Sequence, residues 1–194
     1  MELAELTVRG FTEEIASASP APGGGSAAAL AGAVGAALTA MVSGLTLGRK
    51  KYEAVQELAL RAQAQADGNA GASCDEILRR HSGAFTVYIL VGRNSDLKQT
   101  LEEKQARSSA IEQGLKACTQ PPLAVMQLCA EGLELLERLL GETNATAASD
   151  FGVACLSLRA GLQGAWLNVC INTGSLCDAA FAADARAAGQ KLLD

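Results

Sequence analysis

Apolar positions along this chain recur at helical rather than strand spacing. Leu3, Leu6, Val8, Phe11 and Ile15 are placed to cover one side of a short helix over residues 3–18. Pro20-Ala21-Pro22-Gly23-Gly24-Gly25-Ser26 then makes a non-helical break, followed by an apolar helix over 27–47. Gly48-Arg49-Lys50-Lys51 puts cations where the helix dipole favours them, and an Ala-rich helix over 52–66 follows, with a kink or loop at 67–72. Ser73 and Glu76 have the spacing of a cap. Residues 84–91 are strand-like in composition, but a lone strand has no partner, so this run is taken as helical, with a polar loop over 92–99. Thr100-Leu101-Glu102-Glu103 is a capping box opening a helix over 100–118, and Pro121 starts the next one. In that helix Val125, Cys129, Leu133, Leu136 and Leu140 form one face, with Glu131, Glu134, Glu137 and Arg138 elsewhere. After a loop over 141–149, Ser149 or Asp150 can cap a long helix over 151–171 whose one charge is Arg159, and a tail helix runs to the end. The expected fold is all-α: one domain over 1–194, a bundle of long helices around a buried Gly/Ala-rich central helix.

Composition sharpens this picture. Alanine is about a fifth of the 194 residues and aromatics are 4%, so small side chains must fill the core and helices must approach closely. No charge falls between Glu14 and Arg49, yet the run is mostly Ala, Gly, Ser and Thr, with no aromatic anchor at either end, which favours a core helix over a membrane span. A net charge of −5 is the wrong sign for nucleic-acid binding. Six cysteines without C-x-x-C spacing and a single histidine, His81, give no metal-site pattern. The acidic N-terminus has no signal-peptide core, so a cytoplasmic setting is expected. The uncharged helices carry more apolar surface than one small bundle covers, which points to a homo-oligomer, a dimer being the simplest.

Several positions could carry chemistry. Gly23, Gly24, Gly25 and Ser26 feed a helix N-terminus and could present backbone N–H groups to an anion or carbonyl; a tight turn requiring positive φ is the alternative. Asp150 is either a proton-transfer carboxylate or an ordinary helix cap, with Ser149 beside it. Asn168 and Asn172, four apart in an apolar helix, share a face and either hold a polar ring or satisfy buried backbone. Arg49, Lys50 and Lys51 either meet an anionic ligand or pair with the helix dipole.

These segments together resemble a known family. The run Pro20 to Ala29, the helix ending Leu45-Thr46-Leu47-Gly48-Arg49-Lys50-Lys51-Tyr52, Glu102-Glu103-Lys104-x-x-Arg107, Pro121-Pro122-Leu123, Ser149-Asp150-x-Gly152-Val153-Ala154 and Ala165-x-x-Asn168-Val169-x-x-Asn172 resemble, in order, the formimidoyltetrahydrofolate cyclodeaminase and methenyltetrahydrofolate cyclohydrolase family. The resemblance implies an all-helical, homo-oligomeric folate enzyme without metal or redox cofactor. Its substrate would be 5-formimidoyltetrahydrofolate, cyclised with loss of ammonia, or 5,10-methenyltetrahydrofolate, hydrolysed. It also implies Asp150 as the carboxylate, Gly23 to Ser26, Ser149, Asn168 and Asn172 around the pterin, and Arg49 and Lys50 near the glutamate tail. One segment departs from the pattern: where the family places an acidic cluster before an Ala-Phe pair, this chain has Leu78-Arg79-Arg80-His81-Ser82-Gly83 ahead of Ala84-Phe85. His81 is the local substitute for proton transfer there, and a catalytically degenerate folate-binding or structural protein of the same fold is the alternative reading.

Overall fold

The uncharged run can bury small side chains on several sides, and in the computed structural model, which describes residues 3–19, 21–68, 70 and 100–194, three other helices pack against it. After a 3-10 turn at Leu3–Glu5, α1 spans Val8–Ile15, capped by the Thr7 hydroxyl accepting from Gly10 N–H at 3.1 Å. The single helix expected over 3–18 is thus a turn and a shorter helix, because that cap starts α1 afresh. α2 spans Gly24–Thr46. Gly24, Gly25 and Ser26, expected in the break, are helical; packing overrides the low helix propensity of glycine. Positive φ, the alternative for these glycines, occurs instead at Gly48 (71°) and Gly141 (81°).

A 3-10 turn over Lys50–Val55 precedes α3, Gln56–Gly68, so the first turn of the helix expected from residue 52 is tighter than α. Gln56 causes this: its Oε1 accepts from Gly48 N–H at 2.7 Å while its Nε2 donates to the carbonyls of Thr46 at 3.2 Å and Tyr52 at 2.9 Å. α3 then buries Ala59, Ala62 and Ala66, one small residue per turn. The strand-or-helix question at 84–91, the Ser73 cap and the loop at 92–99 lie outside the described residues.

Thr100 and Glu103 form the expected capping box at the start of α4, Leu101–Leu139. Two helices were expected here, divided at Pro121; the chain makes one. Two prolines delete the N–H groups that would bond the carbonyls of residues 117 and 118, four back in the ladder. Asn172 replaces one of them, its Nδ2 donating to Cys118 O at 2.8 Å, and both prolines are buried. A 3-10 turn at Ala145–Ala147 leads to α5, Ala148–Gly174, and Asp178 caps α6, Ala179–Leu193. Because α5 begins at Ala148 with Ala147 as an N-cap lacking a side-chain bond, neither Ser149 nor Asp150 is its cap: both lie inside the first turn.

Among the described residues every regular element is helical. Added Cβ atoms locate the close approaches: Gly164 would meet Ala28, Gly161 would meet Gly32, and Gly35 would meet Leu158, so α2 and α5 run antiparallel with backbones nearly touching. Gly32 also faces Cys129, which sets α4 against the same pair. The core is built from Ala28, Ala29, Val125, Met126, Cys129, Leu136, Leu158, Leu162 and Val169. α2 is long and apolar enough to cross a membrane by length and composition, and here it packs as a bundle helix. It is not covered all round as expected: Leu30, Val34, Met41 and Leu45 remain exposed along one row, as do Val153, Leu156, Leu167 and Ile171 on α5.

Candidate functional site

The antiparallel register of α2 and α5 sorts the candidate residues by height along the bundle. Pairing of residue 28 with 164 and of 35 with 158 carries Gly24 to the level of Asn168, at one end. At the other end Thr46 meets the loop before α5, its hydroxyl accepting from Asn144 N–H at 3.0 Å. The 23 residues of α2 separate those ends by about 33 Å at 1.5 Å per residue. Gly23, Gly24, Gly25, Ser26, Asn168 and Asn172 therefore gather at one end of the chain, and Arg49, Lys50, Ser149 and Asp150 at the other. His81 lies outside the described residues.

At the first end Gly23 is the N-cap of α2 and supplies no side-chain bond. Gly24 is exposed, whereas Gly25 and Ser26 are buried. The Ser26 hydroxyl has no hydrogen-bond partner and no exposed surface. The two asparagines spend their amide donors on backbone: Asn168 Nδ2 on Gly164 O at 2.8 Å and Asn172 Nδ2 on Cys118 O. Both are half-buried, leaving each Oδ1 as the polar atom not used in these bonds. Asn172 thus has a structural task that Pro122 creates.

The second end is tied by polar side chains that the sequence did not single out. Asn144 Nδ2 donates to Leu45 O at 3.2 Å, and its Oδ1 accepts from Thr146 N–H at 3.2 Å. The Tyr52 hydroxyl accepts from Ala145 N–H at 3.1 Å. An Asn two residues before a Thr in a loop is a local turn signal that could have marked Asn144; Tyr52 had no such signal, since its partner is 93 positions away. Arg49 is exposed and its Nε donates to Leu45 O at 3.0 Å, closing the last turn of α2, so dipole pairing and capping account for it. Lys50 and Ser149 are exposed and Asp150 is half-buried in the first turn of α5.

Two cavities among the described residues lie away from the glycine turn and Asp150. Between α2, α3, α4 and α5 a void of about 20 Å³, lined by Gly32, Thr39, Gln65, Cys129, Gly132 and Leu158, has room for one water. A surface groove of about 920 Å³ between α4 and α6 is large enough for a folate, and Glu134, Glu137 and Asp194 with the single cation Lys191 give it a net negative lining. Cys118 and Cys129 are buried and Cys177 is exposed. Burial pushes the Cys118 and Cys155 thiols up from their ordinary values, which suits inert core residues. Among the described residues no group of three His, Cys, Asp or Glu is placed to hold a metal.

Known proteins extend the comparison along the whole chain. A structure titled formiminotetrahydrofolate cyclodeaminase, from Thermotoga maritima, superposes with a TM-score of 0.87 over 99% of this chain and 90% of its own; at 23% identity this shows a shared fold. The methenyltetrahydrofolate cyclohydrolase of Methylorubrum extorquens is 40% identical over 91% of this chain and 83% of its own length. The formimidoyltransferase-cyclodeaminase of Sus scrofa is 34% identical over 92% of this chain, which spans 32% of that longer protein. The sequence profile described as formiminotransferase-cyclodeaminase matches residues 7–191. With the profile covering nearly every described element and the expected motifs lying in order within it, the chain belongs to the formiminotransferase-cyclodeaminase family.

Proposed function

We propose that this chain is a folate one-carbon enzyme and that hydrolysis of 5,10-methenyltetrahydrofolate is its principal reaction. The observation that carries the choice is the 40% identity to a cyclohydrolase along 83% of that protein, against 34% to a protein of which this chain spans a third. Cyclisation of 5-formimidoyltetrahydrofolate with ammonia release is the second reading, favoured by the family name and by the shared fold.

In the hydrolysis water adds to the cationic carbon bridging N5 and N10, a proton leaves the added water, protonation of the departing nitrogen lets its bond to that carbon break, and loss of the remaining hydroxyl proton leaves the formyl group, with one proton released overall. The carbon keeps its oxidation level, so the reaction itself calls for no redox cofactor, and turnover that persists in a chelator would fit a metal-free site. We assign the carboxylate that moves these protons to Asp150, supported by its half-exposed position within a helix turn where it is not needed as a cap. Gly23 to Ser26, Asn168, Asn172 and Ser149 are the proposed pterin and substrate contacts, with Lys50 and Arg49 as flanking cations.

A folate is too short to reach from Gly24 to Asp150 within one chain. A homodimer resolves this: a two-fold axis across the middle of α2 sets it antiparallel to its partner and brings the glycine end of one copy beside Asp150 of the other. The exposed apolar rows of α2 and α5 support that interface. The small-molecule substrate and acidic charge fit a cytoplasmic enzyme that binds neither nucleic acid nor membrane.

The test is direct. Purified protein should bleach methenyltetrahydrofolate absorbance faster than the spontaneous reaction, and Asp150→Asn should slow it by about 10²-fold or more. Absence of both this activity and ammonia release from 5-formimidoyltetrahydrofolate, with folate still bound in a calorimetric titration, would establish the degenerate alternative.

A further inference from the structure

The start of a helix leaves backbone N–H groups without partners, and an acidic side chain at the third helical position can fold back to take one. Glu103 does so in α4, where its carboxylate accepts from the N–H of Thr100, the residue before the helix, at 2.7 Å. Asp150 holds the same third position in α5. Its carboxylate, however, takes no hydrogen bond or ion pair among the described residues.

The reason lies in the turn ahead of it, where each N–H group already has an acceptor. Asn144 N–H donates to the Thr46 hydroxyl at 3.0 Å and Ala145 N–H to the Tyr52 hydroxyl at 3.1 Å. Thr146 N–H donates to Asn144 Oδ1 at 3.2 Å, and Ala148 N–H to Ala145 O. Ala147 N–H, the counterpart of the group that Glu103 takes, donates to Asn144 O at 2.8 Å. Asn144 thus supplies two of these acceptors, and its own N–H and Nδ2 fasten the turn to Thr46 and to Leu45 O at the end of α2. It is 7% exposed, and Thr46 and Tyr52 are buried beside it.

We propose that Asn144 is a positioning residue that keeps the Asp150 carboxylate uncommitted, and so available for proton transfer. This rests on the assignment of Asp150 given above. Cutting Asn144 back to alanine removes the tie to Leu45 O and the acceptor for Thr146 N–H, so the turn loosens. Ala147 N–H then comes within reach of Asp150, which folds back on it as Glu103 does on Thr100. A carboxylate engaged in that way is a weaker base and is turned from the substrate. Arg49 keeps its own bond to Leu45 O, so the flanking cations stay in place and binding is spared.

The experiment measures hydrolysis of 5,10-methenyltetrahydrofolate by Asn144→Ala and Asn144→Ser, each in the wild-type and the Asp150→Asn background, under enzyme excess where rates are low and with a thermal melt of every protein. Asn144→Ala is expected to lower kcat by about tenfold at nearly unchanged KM, the signature of a group that acts on the chemical step alone. Asn144→Ser should recover most of that loss, because a serine hydroxyl still accepts from the N–H two residues on. With Asp150 already replaced, Asn144→Ala should change the rate by less than about twofold, since no carboxylate remains to position. Thr46→Val, which removes the acceptor for Asn144 N–H at nearly constant shape, carries the same comparison if Asn144→Ala does not fold. Folded variants that keep wild-type kcat, or that lose as much without Asp150 as with it, overturn the positioning role and leave Asp150 standing. An Asp150→Asn protein with wild-type turnover overturns the assignment of Asp150 and the role of Asn144 with it.

Discussion

At Gly35 an added methyl would lie 2.6 Å from Leu158 Cγ and 2.8 Å from its backbone nitrogen, and backbone cannot rotate away. Gly35→Ala should therefore cost about 1–3 kcal/mol and lower the melting temperature by several degrees, whereas Ala at Gly114, where a Cβ meets nothing, should not; equal melting of the two variants would contradict this packing. Asn172 is the second residue whose role depends on a neighbour far away. Its amide serves the carbonyl that Pro122 leaves unbonded, so Asn172→Leu should cost about 1–3 kcal/mol in a denaturant titration. If Pro122 is also replaced by Ala, restoring the N–H, most of that cost should vanish, a coupling that a double-mutant cycle measures. In the sequence Asn172 stood out as a polar residue in an apolar helix, which is why it suggested a ligand contact. The prolines that account for its donor lie some fifty residues earlier, and nothing local links them.

α4 shows how far local signals reach along one element. Its start was legible to the residue, since Thr100 and Glu103 bond each other's backbone at 3.2 and 2.7 Å. Its continuity past Pro121 was not, because proline ends a helix unless neighbours take over the freed carbonyls. The element also carries a clasp on the turn between α5 and α6. Glu112 accepts from the N–H groups of Cys177 and Asp178 at 3.0 and 2.9 Å, and Lys116 Nζ reaches Asp178 Oδ2 at 2.6 Å while lying 5.4 Å from the centre of the Phe181 ring. The Cys177 and Asp178 amides hold the Glu112 carboxyl below its usual range, and the Lys116 ammonium followed by the Phe181 amide does the same for Asp178. Carboxyls depressed in the folded state contribute stability that is present above their unfolded values and lost as pH falls through the folded ones. Asp178→Asn should thus melt below wild type at neutral pH, and the gap should close once the medium is more acidic than the ordinary carboxylate range. The bond from Asp178 raises Lys116, whose share is present below its ordinary value and disappears in strong alkali. These groups are surface-exposed, so the differences will be small and will shrink in salt. A gap that widens in acid would show the clasp to be unimportant.

For the whole molecule, the decisive geometry is the length of α2, which holds the glycine turn and the level of Asp150 about 28 Å apart along the bundle. If two copies complete each site, Leu156→Glu or Leu167→Glu, in the exposed row of α5, should shift the protein toward monomer in sedimentation and abolish turnover together. A mixed dimer with one chain carrying Asp150→Asn and the other a disabled α2 first turn should regain up to half the activity of wild type, since one site then draws both good halves. No recovery would mean that each chain works alone. The sequence by itself determined the helical class, the order of the long helices, the capping of α4 and the family to which the motifs belong, because periodicity, caps and motif order are written in residues near one another. The tertiary structure alone decided that α4 runs unbroken through two prolines, that Asn172 serves backbone, that Gly35 and Gly161 are packing glycines while Gly23 and Gly24 are not, and that the candidate residues divide between two ends. Each of those outcomes depends on which distant helix lies alongside, and that is set by burial of small side chains across the whole bundle, not by any local run of residues.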